Sequence, residues 1–173
     1  MDSVSTGERS RHRRRLTSTI KDTLRDLNNQ LSLLSHHVGM RVDLKDVDLD
    51  CLDLIDRHGP LSPSALAKRA GLHPATVTGI LDRLQRGHWI IRERDPEGPD
   101  RRAVTVRVLR ERGRELYRLY GGMNTSLDDI CAGYTDTQLE VVADFLHRTT
   151  DAGRTATDDL SRPQDHTVTD RPS

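Results

Sequence analysis

Between residues 59 and 109 the chain is punctuated so closely that few folds can accommodate it. Ser62-Pro63 opens a segment that Gly71 closes, and Pro74 opens a second that Gly87 closes, with only Leu72 and His73 between them. Proline suits the first helical position, where the backbone N–H has no intrahelical partner and φ is already set. Glycine suits the position after the last turn, because it adopts the left-handed conformation without steric cost. Ser62 is a good N-cap. Leu72 before the second helix and Val77 within it have the spacing of a hydrophobic staple. Leu66, Ala67 and Ala70 form the inward set of the first helix, and Val77, Ile80, Leu81 and Leu84 that of the second. Two short helices joined by a glycine-containing turn form a helix-turn-helix. Trp89–Arg94 then reads as a strand, and Ala103–Leu109 alternates with period two as another. Between them, residues 95–102 hold two prolines and one glycine, which predicts a β-hairpin with a charged tip.

Helices flank this unit. Leu16, Ile20, Leu24, Leu27, Leu31, Leu34 and Val38 form one apolar stripe of helical period ending at Gly39. The stripe buries either against its own domain or, given its near-heptad spacing, against a helix of a second subunit. Asp46–His58 is a further helix with Val47, Cys51, Leu54 and Ile55 inward, ended by Gly59-Pro60. A long helix starts near Arg110, with Leu116, Leu119, Tyr120, Met123, Leu127 and Ile130 on its apolar side and a bend at Gly121-Gly122. In the last helix Thr135 and Gln138 have capping-box spacing, and Leu139, Val142, Phe145 and Leu146 face inward. The fold class is mainly α with a small β-hairpin. Residues 1–15 and 155–173 carry too few apolar side chains to join a core and are expected to be a disordered basic arm and a disordered tail. The folded domain is therefore placed at 16–154.

Charge sharpens the picture. The chain has 27 basic and 27 acidic residues. By position, however, residues 59–114 carry net +6, residues 16–58 net −3 and residues 121–173 net −6. A basic middle attracts polyanions whatever the total charge, although solvated surface charge would give the same count. No run approaches the ~18 apolar residues of a membrane span, and no apolar stretch follows the N-terminal arginines as a secretory signal requires. Cys51 and Cys131 are too few for a disulfide framework or a zinc finger and suit a reducing cytoplasm. No nucleophile elbow, phosphate-binding loop, dinucleotide fingerprint or metalloprotease motif is present, so catalysis and cofactors are not expected.

Together these segments resemble the MarR family of bacterial transcription regulators. The residues that carry the resemblance are Leu61-Ser62-Pro63-Ser64-Ala65-Leu66-Ala67, Pro74-Ala75-Thr76-Val77-Thr78, Asp82-Arg83-Leu84, Ile91-Arg92-Glu93-Arg94 and Asp100-Arg101-Arg102-Ala103-Val104. It extends over roughly residues 16–150. The resemblance implies a winged helix-turn-helix at about 45–109, between dimerisation helices at about 16–39 and 110–154. It implies a homodimer that binds double-stranded DNA at a pseudo-palindromic operator, in a bacterial cytoplasm at the nucleoid, as a repressor. It thereby favours a second subunit as the partner of the first stripe. A winged-helix module that contacts only proteins is the competing class, and the basic hairpin speaks against it.

The same resemblance implies which residues meet DNA. Ala75, Thr76, Thr78 and Gly79 lie on the exposed face of the fourth helix, whose N-terminal half would enter the major groove. His73 stands where the family usually has Ser, Thr or Asp, a poorer cap that can donate to a phosphate or base. Gly79 stands where the family often has a long polar side chain. Arg83, Arg86 and the Ser62 N-terminus are expected at phosphates, with Arg92 and Arg94 at the backbone or paired to Asp82, and Arg101 and Arg102 in the minor groove. The arginines at 9–15 either add non-specific affinity or solubilise the chain. A small-molecule effector, common in the family near the helix junction, would draw on His36, His37, Arg41 and Asp53, which otherwise read as surface or interface polar groups. Adjacent His36 and His37 lack the spacing that places two metal ligands on one helical face, so no metal is expected. Cys51 lies on an apolar stripe, where inert packing is the default.

Overall fold

The computed structural model describes residues 3–94 and 104–161. Seven helices and two strands follow in the order α1 (Ser3–Val42), α2 (Asp46–His58), α3 (Pro63–Ala70), α4 (Pro74–Arg86), β1 (Ile90–Arg94), β2 (Val104–Val108), α5 (Arg110–Leu119), α6 (Gly121–Ala132) and α7 (Asp136–Ser161). The chain divides between Gly121 and Gly122 into two compact units.

In the first unit Ser62, Pro63 and Gly71 act as expected, whereas Gly87 ends α4 at φ −78° and the left-handed residue there is His88 at φ 56°. The Ser62 hydroxyl accepts from the Ala65 N–H at 3.2 Å, Pro63 occupies the first turn, and Gly71 adopts φ 64° as the left-handed cap. Val77, Ile80, Leu81 and Leu84 of α4 are buried against Leu66 and Ala67 of α3 and Cys51, Leu52 and Ile55 of α2. The hairpin closes this core with Trp89, Ile90 and Val106. β1 and β2 pair antiparallel with Ile90 opposite Val108 and Arg94 opposite Val104. Leu61 adds a short third rung, exchanging both backbone hydrogen bonds with Val106 at 3.1 and 2.8 Å. The wing is thereby tied to the loop ahead of α3.

Four expectations need correction. Residues 3–15 are helical and extend α1 to 40 residues, about 60 Å, where a disordered arm was expected. The arm contains no proline, and adding turns to an existing helix costs far less than nucleating one. Residues 155–161 likewise continue α7. The single long helix from Arg110 is two helices. It breaks at Tyr120 (φ −85°, ψ 0°), ahead of the glycine pair that was expected only to bend it. In α2 the expected inward set lacks Leu52, which is buried in the core with Cys51 and Ile55 while half-buried Val47 and Leu54 pack against it.

The apolar stripe of α1 is covered only near its C-terminal end. Val38 is buried, whereas Leu16 is 50% exposed and Ile20, Leu27 and Leu31 are exposed as well. Within the second unit, the Thr135 N–H donates to the Gln138 side chain at 2.9 Å, the expected start of α7. The α7 side chains Val142, Phe145 and Leu146 are exposed.

Candidate nucleic-acid interface

The interface is built on α4, which the core holds by one face and leaves open on the other. Ala75, Thr76 and Thr78 are exposed beside buried Val77 and Ile80. The helix begins at His73, whose Nδ1 accepts from the Ala75 N–H at 3.2 Å. That bond requires an unprotonated Nδ1, so the neutral ring carries its proton on Nε2 as a donor. A helix N-terminus also favours anions, and exposed His73 thus combines a directed donor with the positive end of the helix dipole. Thr78 turns its hydroxyl back to the Pro74 carbonyl at 3.1 Å, whereas no hydrogen bond of the Thr76 hydroxyl occurs among the described residues. A Cβ added at Gly79 would meet only Arg83 Nη1, at 3.8 Å. Gly79 is therefore not required by packing inside the chain.

Charges around α4 fall into two sets. Asp82 pairs with Arg92 of β1 at 2.6 Å, fastening the helix to the wing. Glu93 and Arg107 pair across the hairpin at 2.7 Å, and this hydrogen-bonded arginine holds the Glu93 carboxyl below its ordinary range. Arg86 is exposed and bonds to the Asp82 carbonyl at 3.2 Å, leaving guanidinium donors for a phosphate. Arg94, at the outer end of β1, is exposed. Ser62 uses its hydroxyl oxygen as the α3 cap and lies 3.1 Å from the Ser64 hydroxyl. Arg101 and Arg102 lie outside the described residues, as does Asp100.

Arg83 is a correction. Its Nε and Nη2 donate to the two carboxylate oxygens of Asp48 at 3.0 and 2.6 Å. Asp48, in the first turn of α2, is only 2% exposed. The hydrogen bonds to this carboxylate raise the Arg83 pKa above its ordinary value. Arg83 therefore compensates a buried charge and locks α2 to α4 through Nε and Nη2. The sequence reading missed Asp48. The available signal was its place one helical turn before inward-facing Cys51 and two before Ile55, where an acid must find a cation.

The residues expected around an effector each have partners close in the sequence or lie exposed. His36 Nδ1 is 3.2 Å from Asp46, His37 Nδ1 is 2.8 Å from the Leu33 carbonyl, and Asp53 pairs with Arg57 at 2.8 Å. Each is satisfied locally, and Arg41 is exposed in the last turn of α1. No group of three or more potential metal ligands occurs among the described residues. Cys51 is buried, and burial, followed by the Asp48 and Asp50 carboxylates, pushes its thiol up to about 11. Such a thiol is protonated and unreactive at neutral pH. No described helix is long and apolar enough to cross a membrane.

Residues 44–104, which run from the α1–α2 junction through the wing, match the family model described as MarR family. Over that stretch the chain is similar to the MarR family. The chain is 29% identical over 139 residues to an HTH-type transcriptional regulator of Bacillus subtilis, YcgE, covering 80% of this chain and 89% of that protein. It is 29% identical over 86 residues to the B. subtilis HTH-type transcriptional repressor YetL, half of each chain. Its fold matches that of Streptococcus pneumoniae FabT, solved in complex with DNA, with a TM-score of 0.60 and 23% identity over 84% of this chain and 99% of that one. The chain thus has the winged-helix fold of these proteins.

Proposed function

We propose that the chain is a cytoplasmic repressor that binds a pseudo-palindromic operator as a homodimer and is released from it by a small-molecule effector. The observation that carries the DNA reading is the open N-terminal half of α4. There His73, Ala75 and Thr76 stand exposed while the opposite face is locked into the core. Thr and Ala suit the thymine methyl, and a hydroxyl serves a base edge or a phosphate. The same reading gives Ser62, Thr78, Gly79, Arg86 and Arg94 to the DNA contact, and assigns Arg101 and Arg102, which lie outside the described residues, to the minor groove.

Dimerisation is supported by apolar side chains that each unit leaves uncovered, Leu16, Ile20, Leu27 and Leu31 on α1 and Val142, Phe145 and Leu146 on α7. Stripes of this kind on a soluble chain mark protein contacts. Repression is the role named for YetL, and DNA the ligand named for FabT. Footprinting on the intergenic DNA upstream of the gene tests the whole reading. A dimer protects two half-sites about one helical turn apart, about 10 base pairs or a multiple of it. A single protected half-site, or uniform protection along the fragment, contradicts it.

A further inference from the structure

We propose that the outer face of α5 binds a small polyanion, a molecule carrying two or more phosphate or carboxylate groups along its length. Arg110, Arg114 and Arg118 follow one another at intervals of four residues and are all exposed. That spacing stacks their side chains on one face, about 6 Å apart along the axis. None of the three forms an ion pair with a described residue, although nearby arginines do. Arg112, on another face of the same helix, shows what a satisfied arginine looks like. It pairs with Glu115 at 2.7 Å, reaches the Gly87 carbonyl and lies 4.6 Å over the Trp89 ring. Like charges four residues apart repel, so the ladder is an unrelieved cost within the chain that a bound anion would remove.

The ladder also has a place for a ligand. It lines an open groove of about 920 Å³ together with Tyr117, which is 68% exposed, and Asp56 of α2. Asp56 and Glu111 stand at the N-terminal end of the groove, with Asp56 Oδ1 3.7 Å from where a Cβ would sit at Gly113. Their carboxylates repel anions there and accept from hydroxyls. The anionic groups therefore belong over Arg114 and Arg118, with Tyr117 between them as an apolar wall.

DNA is not the polyanion this groove fits. α5 leaves from the base of the hairpin, where Ile90 pairs with Val108, and Arg112 touches Gly87 at the C-terminal end of α4. The reading edge at His73–Thr78 is the other end of that 13-residue helix, about 20 Å away. The site stands on its own geometry. Only the consequence that its occupation alters DNA binding rests on the regulator reading above.

Calorimetric titration of the full chain without DNA, at about 150 mM salt, tests the site with tripolyphosphate and citrate, against inorganic phosphate and acetate. Binding of either polyanion, with the small anions weaker by about tenfold or more, is the expected result. Tripolyphosphate alone assigns phosphate compounds, citrate alone carboxylates, and both a site that reads charge spacing. The double variant Arg114→Gln/Arg118→Gln, which alters only exposed side chains, weakens the binding by about tenfold or more. Arg86→Gln, at the DNA face, leaves it unchanged. Absence of binding by both polyanions, or binding that survives the double variant, overturns the proposal. Gel shifts with and without the bound anion then report on the regulator reading separately.

Discussion

Replacing Arg83 by Ala separates the two roles an arginine in this position can have. In the structure the Asp48 side chain is 3% exposed and accepts two hydrogen bonds from the Arg83 guanidinium, at 2.6 and 3.0 Å. Removing the arginine strands a buried carboxylate. Breaking a buried pair in this direction costs about 3–5 kcal/mol. The Arg83 side chain is itself 36% exposed, so water reaches part of the vacated space and the low end applies, about 3 kcal/mol. The opposite truncation, Asp48→Ala, leaves a cation that already borders solvent and rehydrates more easily. Its cost is about 1–2 kcal/mol, that of lost charge-assisted hydrogen bonds. Replacing both partners by Leu removes the stranded charge altogether and recovers most of the loss. Urea unfolding at pH 7 measures all three variants, read from midpoint shifts at constant m. Equal costs for the two single variants, or a cost below about 1 kcal/mol for Arg83→Ala, would refute the reasoning. A variant of unchanged stability whose operator binding loses about one unit of salt slope would return Arg83 to the phosphates.

Two further outcomes follow from the same geometry. Gly79→Ala stabilises the chain by about 0.5–1 kcal/mol in the same unfolding assay, because the added methyl meets nothing closer than 3.8 Å and glycine is costly inside a helix; a destabilised variant would show a contact the geometry does not contain. Cys51 resists iodoacetamide at pH 7.5 in the folded chain while half-buried Cys131 reacts, as peptide mapping of the alkylated protein would show. A thiol raised from 9.0 to about 11 holds its proton more tightly folded than unfolded, so it withdraws stability as pH climbs through that window and not below it. Rapid alkylation of Cys51 at neutral pH would contradict both statements.

What the sequence made legible was local. Pro63, Gly71 and Pro74 act through their own backbone geometry, so the helix-turn-helix could be placed from those residues, and period-two alternation placed the second strand. The failures involved contacts or continuations that no short window contains. Asp48 and Arg83 are 35 residues apart, and only the packing of α2 on α4 makes one the partner of the other. Arg83 looked like a free cation at a helix end because its acid lay outside the window. The extension of α1 was missed for the opposite reason. Apolar content was used as the criterion for order, and an arginine-rich segment continues a helix that residues 16–42 already sustain.

The central claim is that the open N-terminal half of α4 reads bases. Fluorescence anisotropy competition with operator and scrambled DNA, comparing the wild type with Thr76→Ala, tests it most directly. Thr76 is exposed, and its hydroxyl has no hydrogen bond among the described residues, so folding is unaffected. The account expects operator affinity to fall by about 1–3 kcal/mol while affinity for scrambled DNA stays the same, which narrows the specificity ratio. Equal loss on both DNAs, or no loss on either, would contradict a base-reading role for this helix.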